Sequence, residues 1–155
     1  MTAYEELLER AAAKGLHVKE MNFRHVKGLI KDRKIGIRKD IETSAEKADI
    51  LAEEIAHWDT SEGNILDQTK TENRKQERIA RILTYNGRVG LDGIIRAWEY
   101  GCQNNYEAAE YLGTHQRTFE EALKYYHEKY GVCVEHDGRT IIFEPALMVI
   151  RNGEE

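Results

Sequence analysis

The chain of 155 residues suits one domain, or one domain with a small appendage, and is long enough to bury a core without disulfide staples. Its 41% hydrophobic and 33% charged residues read as a soluble globular protein, and no stretch is long and apolar enough to span a bilayer. A net charge of -5 gives no general attraction for nucleic acid or anionic lipid.

The polar start Met1-Thr2-Ala3-Tyr4-Glu5-Glu6 is unlike a signal peptide. Cys102 and Cys133 lie far apart and form no paired zinc motif, so a cytoplasmic protein with reduced thiols is expected. Residues 4–14 are predicted as a helix, with Leu7, Leu8, Ala11 and Ala12 at helical spacing and Gly15 as the stop. Residues 18–23 are expected to be extended. Residues 28–41 read as a β-hairpin turning at Lys31-Asp32-Arg33-Lys34, with Ile35 and Ile37 alternating on the second half. Such a hairpin either covers the helices or offers a sheet edge to an extended peptide.

Thr43-Ser44-Ala45-Glu46 is a capping box that opens the central helix. Ala48, Leu51, Ala52, Ile55 and Trp58 form its apolar stripe. Glu53 and His57 stand one turn apart on another face, and Glu54 falls between that face and the stripe. From spacing alone two readings stay open: a metal site, or a solvated face with ordinary carboxylates and a surface histidine. The helix is expected to end in a turn at Thr60-Ser61-Glu62-Gly63-Asn64.

A second helix is predicted over 72–85, with Ile79, Ala80, Ile82 and Leu83 on its apolar side. Glu77 follows His57 by 20 residues, a span that can return it beside His57 on an antiparallel helix. It also reads as one member of the charged run Arg74-Lys75-Gln76-Glu77-Arg78. Asn86-Gly87 is expected to turn the chain into a helix over 91–100, with Ile94, Ile95, Ala97 and Trp98 as core candidates.

Residues 106–112, a turn at Gly113-Thr114 and residues 117–130 look like a helix-turn-helix. Five glutamates against three basic residues across 103–130 oppose docking on phosphates, so no direct nucleic-acid contact is expected. Tyr125, Tyr126 and Tyr130 are expected to pack. Val132 to Phe143 forms a hairpin around Asp137-Gly138, followed by a short apolar tail over 146–151. His17, His25, His115, His127 and His136 have no neighbours at ligand spacing. A di-iron bundle would need a second Glu-x-x-His, and none is present.

Taken together, Glu53-Glu54-x-x-His57-Trp58, Gly63-x-Ile65 and Gln76-Glu77-x-x-Ala80 resemble the ImmA/IrrE family of metallopeptidases over roughly residues 4–130. The pattern is similar to H-E-x-x-H with Glu53 in place of the first histidine. The resemblance implies an α+β, mainly helical fold. Residues 1–88 would be a zincin-like core, a small sheet packed on the active-site helix, and residues 89–155 a helical tail ending in a β-hairpin. It implies Glu53, His57 and Glu77 as metal ligands and Glu54 as the general base. The implied ion is Zn²⁺, with Mn²⁺ or another divalent ion open because the Glu-rich shell is harder. The implied activity is a cytoplasmic endopeptidase of prophage or mobile-element type that cuts a helix-turn-helix repressor. The alternative is a non-catalytic antirepressor of the same fold that sequesters a protein partner.

Overall fold

The computed structural model describes residues 1–61 and 70–153. It is an α+β chain that divides into two compact units, Met1–Thr84 and Tyr85–Glu155. The expected division after residue 88 compares with an observed one after residue 84.

In the first unit, α1 (Ala3–Ala13) is capped by Thr2, whose Oγ1 accepts the Glu5 N–H at 3.1 Å. Three strands follow: β1 (His17–Met21), β2 (Gly28–Lys31) and β3 (Lys34–Arg38). β2 and β3 form the expected hairpin, closed by Asp32-Arg33 with Asp32 at φ +57°. The stretch expected to be merely extended is a third strand, β1, paired in parallel with β3. β3 is therefore central and both β1 and β2 are edges. Ile35 and Ile37 alternate into the core as their period-2 spacing requires.

The N-cap half of the expected capping box is in place: Thr43 Oγ1 accepts the Glu46 N–H at 3.1 Å at the start of α2 (Ser44–Ser61), and Glu46 Oε1 accepts from Lys27 Nζ at 2.8 Å. Ala48, Leu51 and Ile55 of α2 join Leu7, Ala11, Leu16, Ile35 and Ile37 in one apolar core. This packing presses β2 against α2. A Cβ on Gly28 would lie 2.6 Å from Ile50 Cγ2 and 3.1 Å from Glu54 Oε1, so only glycine permits the approach. The turn expected at 60–64 lies, from residue 62 on, outside the described residues, as do Gly63 and Ile65.

α3 (Lys70–Arg88) is longer than expected and runs through Asn86-Gly87, where the sequence predicted a turn. The correction has a packing cause. Tyr85 and Val89, one turn apart, are both buried, and Asn86 Oδ1 accepts the Tyr126 hydroxyl at 2.9 Å. These contacts outweigh the local turn preference of Asn-Gly. The chain breaks instead at Val89-Gly90, with Gly90 at φ +69°.

The second unit holds α4 (Gly90–Tyr100), α5 (Asn105–Leu112) and α6 (Gln116–Tyr130). Asn104 caps α5, and Gly113 at φ +72° ends it, giving the sharp helix-turn-helix bend. β4 (Cys133–His136), β5 (Arg139–Ile142) and β6 (Met148–Arg151) then form an antiparallel sheet. The expected hairpin is thus one strand larger, because the apolar tail pairs with β5. Phe119, Ala122, Tyr126, Ile141 and Val149 are buried together with Ile94, Ile95 and Ala97. Trp98, expected in this core, is instead 37% exposed. Among the described residues, no helix is long and apolar enough to cross a membrane.

The Gly28 contact makes a testable statement about the first unit. Gly28→Ala is expected to destabilise the protein by about 1–3 kcal/mol, the usual cost of overpacking, read as a lower urea midpoint.

Candidate metal and acid–base site

Four ionisable side chains of the first unit gather where α2 faces α3. Glu53 and His57 are set one turn apart by the α2 backbone alone, so they share a face whatever else happens. His57 Nε2 is 3.8 Å from Glu53 Oε1. From α3, Glu77 brings Oε2 to 3.6 Å from the same nitrogen. One ligand atom from each of the three lies within 4.8 Å of the others, and among the described residues this is the one cluster able to hold a metal ion.

The donor set passes a simple fit test. Ligands at 2.0–2.1 Å around a tetrahedral ion sit about 3.3 Å apart. Both His57 spacings need only a small rotamer adjustment to meet that value. One imidazole and two carboxylates are also sound donors for a divalent cation of borderline or hard character.

Without a metal the same geometry is a charge problem solved by protons. The facing Glu53 carboxylate first, then Glu77, Glu54 and Glu53 as negative charges, raise the His57 pKa above its ordinary 6.5, against burial that lowers it. His57 in turn, with Arg81 behind it, holds Glu53 below the usual carboxylate range although burial pushes the other way. Glu54 behaves oppositely. Burial raises its pKa to about 7, the His57 charge opposes that, and Glu53 and Glu77 reinforce it. The two neighbours on one helix are thereby driven apart, one a firm anion and the other a proton carrier near neutrality.

Glu54 is half-buried, and its carboxylate lies against the Gly28 backbone of β2. The glycine leaves the space that the carboxylate occupies beside the edge strand. Each of the four residues singled out from the sequence therefore stands at this site: Glu53, His57 and Glu77 converge, and Glu54 is electrostatically coupled to all three. Of the two readings left open by the spacing, a solvated face does not describe Glu53 and His57, which are both half-buried. Glu77 is the exposed member, with 60% of its side chain accessible.

Two participants were not picked out from the sequence. Arg81 places Nη2 3.7 Å from Glu53 Oε1. Its signal was present in the helical spacing Glu77-x-x-x-Arg81, which puts both on one side of α3. Gly28 carried no local signal, because its role depends on a helix 22 residues later.

Three histidines outside the site have side-chain hydrogen bonds of their own. His115 Nδ1 accepts the Arg117 N–H at 3.1 Å as the cap of α6. His127 pairs with Glu144 at 3.2 Å, and His136 with Asp92 at 2.7 Å. A cavity of about 720 Å³ in the second unit is walled by Trp98, Phe119, Leu123 and Phe143. Lys124 and His127 reach its wall, and none of its lining residues is a carboxylate.

Comparison with protein-family models, with curated proteins and with solved structures finds no match to this chain.

The raised Glu54 pKa has a definite consequence for the metal-free protein. The unfolded chain releases this proton near pH 4.5, whereas the fold keeps it to about 7. The stabilising contribution is complete below about pH 4.5 and is lost as pH rises through about 7; His57, also raised, acts with the same sign. Glu54→Gln is expected to flatten this decline and to exceed the parent in stability at pH 8 by about 2 kcal/mol. Urea midpoints of both proteins between pH 4.5 and 8 check it.

Proposed function

We propose that this chain is a metal-dependent endopeptidase of the ImmA/IrrE type, built on a zincin-like arrangement of sheet and active-site helix. The observation that carries the reading is the convergence of Glu53, His57 and Glu77 within 4.8 Å, with half-buried Glu54 beside them. Glu53, His57 and Glu77 would hold the ion, Zn²⁺ in the first instance. A divalent cation in such a place supplies Lewis acidity, which acidifies water and polarises a peptide carbonyl.

The chain's own residues do the rest. Glu54, beside the ligand set, takes the proton from the attacking water and returns it to the leaving amine. Its half-buried seat against Gly28 fixes the carboxylate beside the edge strand β2. An extended peptide added beside β2, an edge strand among the described residues, would run near the same carboxylate and bring a scissile bond to the acid–base group. The acidic balance of α5 and α6 suits a protein partner rather than a duplex. The substrate class we favour is a helix-turn-helix repressor of a phage or mobile element, cut to derepress its genes in the cytoplasm.

Replacing a ligating histidine by Glu53 changes the chemistry in degree. Two carboxylates and one imidazole leave a divalent centre at net charge about 0, less acidifying than a centre with two histidines. This favours harder ions such as Mn²⁺ beside Zn²⁺.

Purified protein is expected to bind about one equivalent of Zn²⁺ or Mn²⁺ by calorimetry, and His57→Ala to abolish this. Glu54→Gln should keep the metal yet cut a co-purified repressor about 10²–10⁴-fold more slowly. Absence of metal uptake under all conditions refutes the peptidase. Derepression that survives Glu54→Gln in cells points instead to sequestration of the repressor without cleavage.

A further inference from the structure

We propose that Arg81 is the charge-compensating residue of this site: its guanidinium, set against Glu53, restores to the metal centre the positive charge that a glutamate in place of a histidine removes. The inference rests on the metallopeptidase reading above and adds a role for a residue outside the ligand set.

Three observations carry it. Arg81 Nη2 stands 3.7 Å from Glu53 Oε1, on the very ligand whose charge differs from the H-E-x-x-H pattern. Arg81 follows Glu77 by four residues on α3, so the helix that delivers the third carboxylate also delivers the compensating cation. The contact is also long for a structural clamp. At 3.7 Å it is an ion pair without a tight hydrogen bond, and 53% of the arginine side chain is exposed. A charge at that distance acts through space on anything that binds beside it.

The consequence separates charge compensation from mere positioning. A guanidinium next to a ligating carboxylate repels a divalent cation and draws on the same oxygen. It therefore loosens the metal while making the centre more electrophilic. A residue that only held Glu53 in place would do the reverse to affinity, because its loss would leave a ligand less ordered.

The test is a calorimetric titration of the full-length protein with Zn²⁺ and Mn²⁺, for the parent, Arg81→Gln and Arg81→Lys. Arg81→Gln is expected to bind either ion about tenfold more tightly, the effect of removing one nearby charge at intermediate dielectric. Arg81→Lys should stay near the parent. With Co²⁺ as probe, the pH midpoint of the visible spectrum should rise in Arg81→Gln by about half a unit to one unit. Repressor cleavage should slow in the same variant despite the tighter metal. Unchanged or weaker metal binding in Arg81→Gln, or an unmoved Co²⁺ midpoint, overturns the role of Arg81 and leaves the peptidase standing. A parent protein that takes up no metal overturns both.

Discussion

The site depends on one electrostatic constraint: an imidazole held between two carboxylates that come from different helices. Glu53 and Glu77 both approach His57 within 4 Å, and Glu54 adds a third negative group a residue away. Three acids in a half-buried site repel one another, so the arrangement is stable only with positive charge among them. A proton on His57 supplies some, Arg81 supplies more, and a proton on Glu54 removes one negative charge altogether. A divalent cation satisfies the same demand by displacing the His57 proton, because a ligating imidazole must be neutral. The acids and bases of the cluster are therefore tuned by one another rather than by local sequence.

The scaffold makes this crowding tolerable. Leu51 and Ile55 anchor α2 to Ile35 and Ile37 of β3, which fixes the opposite face of the helix and leaves Glu53 and His57 no choice of direction. Glu54 lies between the anchored stripe and the ligand face, so it inherits partial burial from the first and negative neighbours from the second. Both effects raise its pKa. The approach of β2, possible only because residue 28 lacks a side chain, encloses the carboxylate further. Fold and chemistry meet at that strand–helix contact.

Much of this was legible in the sequence, and the limits of legibility are physical. The N-cap at Thr43, the alternation of Ile35 and Ile37 and the i,i+4 pair Glu53/His57 are local patterns, and local backbone geometry determines them. The long-range features were harder. β1 pairs in parallel with β3 across a crossover, and no residue in 17–21 names its partner. Asn86-Gly87 has strong turn chemistry, yet Tyr85, Val89 and the Tyr126 hydroxyl keep it helical, a case of packing overriding propensity. Arg81 was overlooked within a run of charges because its function comes from what it faces, not from its own neighbours.

The three prospective ligands are not equally prepared, and the difference follows from their origin. Glu53 and His57 share one helix, so their separation is set by backbone hydrogen bonds before any ion arrives. Glu77 is carried by another helix and is the most exposed of the set. A long, accessible glutamate loses rotamer freedom when it ligates. Part of any metal-binding free energy must therefore go into ordering Glu77, while the α2 pair is nearly ready. A site with two preset ligands and one recruited ligand gains rigidity as it gains its ion, and the α2–α3 contact is where that rigidity develops.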